Sequence, residues 1–255
     1  MFFKRFKVFS SDFFLKLRLF FFSIVFKKRT GYLKDLTPSL TNLKNKGYHK
    51  IEGFYSSDQI DHLNHIFNDV LSNKDLKYLE KFSIEKFPGE IKIKNVEKSF
   101  KSVKSLSCEF FFTLLGSIFN GKISHPTALF HLVHDGSFPI KNNVEGVSKE
   151  RISGNYHFDD NKPIMKIIIL LDDVNEDIGA QTSIVPNSFK DKSLKKNYIN
   201  LQQTIDDKIM RKIIEKNGVF NCFGKKGDVF IIDTRNIHWG NKLKSSYRRL
   251  LWLYF

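Results

Sequence analysis

Residues 155–174 read NYHFDDNKPIMKIIILLDDV. The second half, 164–171, is an apolar, largely β-branched run of strand length. In the first half His157 and Asp159 stand two apart, so on an extended chain both side chains leave one face and Phe158 leaves the other. They are either two polar residues at a strand end or two ligands of one metal. A histidine and a carboxylate on one face suit non-haem iron(II), provided a second histidine arrives from elsewhere in the fold. The triplet alone is weak, because it arises by chance in many chains of this length.

The histidine that can complete such a set is His238, in GKKGDVFIIDTRNIHWGNK, where a strand opening at Gly227-Asp228 is followed by a short turn. Arg248 and Arg249 then head the final strand, RRLLWLYF. An arginine on an otherwise apolar strand is costly unless it is paired, and a ligand carboxylate would pair it. Adjacent strand residues face opposite ways, so one of the two points inward. The ordered set H-x-D, distant H, then R on the next strand is far more specific than any piece of it.

Around these residues the pattern is helical first and extended later. Tyr48, Ile51 and Phe54 suggest a short strand, and Ser57 is the expected N-cap of a helix whose apolar face is Ile60, Leu63, Ile66, Phe67, Val70 and Leu71. His62 and His65 lie three apart on that helix, without a third ligand near in sequence, and read as solvated or capping residues. Residues 75–98 are charged and read as loop and short elements. A second helix is expected over 101–119, with Cys108 as a small buried residue. Strands are expected at 127–134, 152–158, 164–171, 181–186, 228–233 and 247–255, with a helix ending near Gly218. His131 and His134 fall on opposite faces of their strand and are left out of the site. The fold class is α+β, with an antiparallel sheet in the second half.

The chain resembles the phytanoyl-CoA dioxygenase family of iron(II)- and 2-oxoglutarate-dependent oxygenases. The resemblance is carried by GYHKIEGFYSSDQIDHL, HFDDNKPIMKIIILLDDVNEDIGA, IVPNSFK, GDVFIIDTRNIHWGN and YRRLLWLYF, and covers roughly residues 45–255. It implies a double-stranded β-helix (jelly-roll, cupin-like) core with flanking helices. It also implies that His157, Asp159 and His238 are the iron ligands, with 2-oxoglutarate and dioxygen at the remaining positions. Arg248 matches the family arginine that grips the distal carboxylate of 2-oxoglutarate, and a one-residue shift would choose Arg249. The family's PGSH turn appears as Pro186-Asn187-Ser188-Phe189, without its usual glycine and histidine. Retention of Asp159 points to hydroxylation, because an iron halogenase of the family lacks that carboxylate. The substrate class expected is a small molecule, free or linked to lipid or sugar.

Bulk properties narrow the rest. A chain of 255 residues holds one moderate domain, and its 41% hydrophobic content is that of a globular protein. Two cysteines without CxxC spacing fit a reduced, cytoplasmic setting better than a disulfide framework. The net charge of +15 is spread along the chain with no nucleic-acid-binding signature, so a solvated basic surface is expected and no specific nucleic-acid partner. Residues 1–29 are set apart from the oxygenase domain expected over 30–255. They carry eight Lys and Arg among many Phe and Leu, and a single acid, Asp12. Their longest apolar run, Leu19–Phe26, is well short of the roughly 20 residues a spanning helix needs. They read as a membrane-interfacial segment, as a helix packed on the core, or as an extension. Two other functions stay open: a catalytically inactive jelly-roll binding domain, and a peripheral membrane or anionic-polymer binder.

Overall fold

The computed structural model describes residues 33–87, 89–106, 109–118, 126–135, 156–160, 164–194, 197, 205–244 and 246–255. The basic N-terminal segment and Cys108 lie outside the described residues. The chain divides into two compact units, one within Met1–Thr41 and Cys108–Ile123, the other within Asn42–Ser107 and Ser124–Phe255. In the first, the described residues are helical: the opening turns of α1 (Leu33–Lys46), and α3 (Glu109–Ile118), which buries Phe111, Leu114 and Leu115.

Among the described residues, the second unit is built on two antiparallel sheets. The larger has seven strands in the order β1 (Tyr48–Ile51), β8 (Val229–Asp233), β5 (Met165–Leu170), β10 (Tyr247–Tyr254), β4 (Thr127–His134), β3 (Glu90–Lys94), β2 (Ser83–Phe87). The smaller orders β7 (Phe220–Asn221), β6 (Thr182–Ile184) and β9 (His238–Gly240). The fold is a double-stranded β-helix with flanking helices. Period-two alternation sorts the central strand β10: Arg248, Leu250, Trp252 and Tyr254 leave one face, Arg249, Leu251 and Leu253 the other. Leu250 and Trp252 join Leu129, Ile168, Leu170, Phe230 and Ile232 of the large sheet, and Ile184 of the small one, in a single core. Hence Arg248 lies on the inner face between the sheets.

The outer face is covered by α2 (Ser57–Ser72), on which Phe67 meets Phe130 edge-on, with ring centroids 5.1 Å apart. All six apolar positions read from its periodicity are buried. The N-cap is Ser56 rather than Ser57: its hydroxyl accepts from the Gln59 amide at 3.3 Å, while the Gln59 side chain accepts from the Ser56 amide. α4 (Asp207–Asn217) ends on Gly218 as expected.

Three expectations change. Of the helix expected over 101–119, the described residues form a short helix, Lys101–Ser105, capped at Leu106, and α3, Glu109–Ile118. Ser105 donates its hydroxyl back to the Ser102 carbonyl at 2.7 Å, a side-chain bond that weakens helix interiors. Residues 83–94, expected to be irregular, form the β2–β3 hairpin, with Gly89 at φ 69 in its turn. Its charges hid it: Ile91 and Ile93 are buried on the face of Phe130, while Glu90, Lys92 and Lys94 share the inner face with His131 and Leu129. The His157 segment is not a regular strand among its described residues. His157 forms an isolated antiparallel bridge with His238.

Candidate metal centre

That bridge assembles the site. His157 N–H donates to the His238 carbonyl at 3.1 Å, and His238 N–H returns a bond to His157 at 2.8 Å. Two residues on, Asp159 N–H donates to the Thr234 carbonyl at 3.1 Å. The HxD segment is thus tied to both ends of the turn that carries His238. Asp159 Oδ1 stands 3.9 Å from His157 Nε2 and 3.7 Å from His238 Nε2. One ligand atom from each residue lies within 4.8 Å of the other two.

The turn Asp233–His238 is fixed by its own polar groups. Arg235 donates through Nε and Nη2 to the Asp233 carboxylate. Asn236 Nδ2 donates to the carbonyls of Gly47 and Asp233 at 3.3 and 3.2 Å, and Ser188 Oγ accepts from Ile237 N–H at 2.7 Å. Ser188 belongs to the altered turn, so that turn still braces the strand of His238. His238 Nδ1 stands 2.9 Å from the Asn236 carbonyl. A carbonyl only accepts, so the proton sits on Nδ1 and the Nε2 lone pair points at the cluster. Among the described residues that buried Nε2 has no hydrogen-bond partner. Burial pushes the imidazole down to about 3 against the pull of Asp159, which keeps it neutral, the state a metal ligand needs. For Asp159, burial works to raise the pKa, but neighbouring charge, the Lys166 ammonium first, outweighs it and holds the carboxyl below its ordinary value. A buried orphan nitrogen, a second imidazole and an ionised carboxylate on one spot fit a divalent metal ion.

Two further features are missing from the sequence reading. Lys166 Nζ stands 2.6 Å from Asp159 Oδ2 and lies over the rings of Trp252 and Tyr254, at 5.3 and 4.9 Å. The available signal was one lysine in an otherwise apolar strand. His131 faces inward and is buried, with Nε2 2.5 Å from Glu90 Oε1. Burial lowers its pKa to about 4, against the hydrogen bond to Glu90, so it is neutral at pH 7. With its proton on the side of Glu90, Nδ1 accepts from Trp252 Nε1 at 3.2 Å and from Arg248 Nη2 at 3.4 Å. Arg248 Nη1 also donates to the Ala180 carbonyl. A continuous inner-face series therefore runs Asp159, Lys166, Trp252, His131, Arg248.

Arg249 is placed otherwise. On the outer face it donates to Asp172 through Nε at 3.0 Å and Nη2 at 2.6 Å, and to Asn68 through Nη1 at 3.3 Å. His62 and His65 are exposed on α2.

No protein-family model and no curated protein sequence matches the chain. Solved structures do. The apo form of EctD from S. alaskensis superposes with a TM-score of 0.62 at 14% identity, over 85% of this chain and 75% of its own. SnoN, described as a non-heme alpha ketoglutarate dependent epimerase from nogalamycin biosynthesis, gives 0.57 at 11% identity, over 87% and 80%. SnoK, an alpha ketoglutarate dependent carbocyclase from the same biosynthesis, gives 0.56 at 13%, over 85% and 82%. The shared property is the fold. EctD has been solved with bound Fe, and with 2-oxoglutarate and 5-hydroxyectoine.

Proposed function

We propose that this chain is an iron(II)- and 2-oxoglutarate-dependent oxygenase of the phytanoyl-CoA dioxygenase type. The observation that carries the reading is the convergence of His157, Asp159 and His238 on one spot, with the buried His238 Nε2 lone pair directed into it. The fold shared with iron- and 2-oxoglutarate-binding enzymes supports it. His157 Nε2, Asp159 Oδ1 and His238 Nε2 would hold ferrous iron, and Arg248 would bind the distal carboxylate of 2-oxoglutarate. His131, itself held by Glu90, orients that guanidinium. Arg249, committed to Asp172, is the less suitable choice.

With iron bound, the chemistry supplied is oxidation of a C–H bond: substrate, dioxygen and 2-oxoglutarate give hydroxylated substrate, succinate and carbon dioxide. The protein's part is to hold the His238 imidazole neutral and to keep the Asp159 carboxylate ionised beside it. The substrate is read as a small molecule, free or carried on a lipid or sugar. No helix among the described residues is long and apolar enough to cross a membrane. Residues 1–29 would hold the enzyme at an anionic membrane surface, and equal membrane recovery with and without them would refute this.

The test is succinate formation from 2-oxoglutarate in the presence of ferrous ion and dioxygen. Wild type should turn over and Asp159→Ala should fall to background; equal turnover in both contradicts the assignment. Comparison of metabolites from cells with and without the gene should reveal a product one oxygen heavier than its precursor.

A further inference from the structure

Lys166 occupies a position where a lysine is expensive. It lies on β5 between Met165 and Ile167, both buried, and its own side chain is only 12% exposed. An apolar residue would fit this strand at lower cost, so the lysine calls for a reason. Its ammonium is spent on one oxygen of one proposed ligand, Asp159 Oδ2, at 2.6 Å. The other oxygen, Oδ1, is the one that faces His157 and His238. Trp252 and Tyr254 hold the ammonium between their rings and Asp159.

We infer that Lys166 is a positioning residue for the metal centre: it claims Oδ2 of Asp159 and presents Oδ1 alone to the ion. The inference rests on the oxygenase reading. It assigns the two carboxylate oxygens different tasks, one structural and one ligating. A carboxylate denied its second oxygen occupies a single metal position and leaves the others to the co-substrates. The ammonium also fixes the carboxylate plane, so that binding does not have to order it.

The experiment compares apoproteins of wild type, Lys166→Met and Lys166→Arg. Methionine fills the volume without a donor, and arginine restores a cationic donor to the same oxygen. Each is titrated with ferrous ion under anaerobic conditions, and its cobalt(II) complex is examined by electronic absorption for coordination number. Lys166→Met should bind ferrous ion about 10- to 100-fold more weakly, the usual effect of removing a partner behind a metal ligand. Its cobalt spectrum should change as Oδ2 enters the coordination sphere. Lys166→Arg should recover most of the affinity and the wild-type spectrum. Wild-type affinity and spectrum in Lys166→Met would overturn the inference alone, as would equal loss in Lys166→Arg. Absence of metal binding by wild type would overturn the oxygenase reading and this inference with it.

Discussion

Two neighbouring residues of β10 lead into two charged clusters on opposite faces of the same sheet, and the clusters are finished differently. On the outer face, Arg249, Asp172 and Asn68 close upon themselves: the guanidinium meets the carboxylate through two nitrogens and the amide oxygen through the third. On the inner face the polar groups converge, yet among the described residues the set leaves the buried His238 Nε2 without a hydrogen-bond partner. Both clusters carry the desolvation cost of buried charge. The first is repaid within the chain. The second would be completed by the metal ion proposed for it.

Substitutions can break that contrast. The largest effect on co-substrate binding is expected at Arg248. Arg248→Met should raise the KM for 2-oxoglutarate by 30-fold or more, since losing one partner of a buried charged pair costs about 2–5 kcal/mol. Steady-state kinetics on folded variant would read it, and an unchanged KM would place the co-substrate elsewhere. Arg249→Met should act on stability instead. It leaves Asp172 without its guanidinium partner and should lower the free energy of unfolding by about 3 kcal/mol in denaturant titrations, with little change in that KM. An exchange of the two phenotypes would reverse the assignment of the faces.

A smaller effect sharpens the contrast from the turn that carries His238. Gly47 has φ 76, and a Cβ there would lie 2.0 Å from Asn236 Nδ2. Gly47→Ala should therefore cost about 1–3 kcal/mol in backbone strain and push Asn236 from its bonds to Gly47 and Asp233. Thermal unfolding should register the loss, and ferrous affinity should fall with it. A stable variant with weakened metal binding would show that the turn acts on the site independently of stability.

Much of this was legible in the sequence, for uneven reasons. The six-residue apolar face of α2 and the strands β4, β5, β8 and β10 follow from simple periodicities. The pairing of His157 with Asp159 was read from the period of an extended strand. In the structure the two are aligned by bonds to His238 and Thr234, backbone partners far away in the chain. The β2–β3 hairpin was hidden because its charged face turns inward, contrary to the usual sense of amphipathic alternation. Lys166 and His131 were hidden for a related reason. Each is a polar residue in a buried strand, and its role exists only through partners from other strands: Asp159 for one, Glu90 and Arg248 for the other.

The central claim is that the inner-face cluster is a metal site. Its most direct test is an anaerobic titration of metal-free protein with ferrous ion, run beside His238→Ala. One tightly bound ion per wild-type chain is predicted, with that binding lost in the variant. No uptake by wild type, or equal uptake by both, would contradict it.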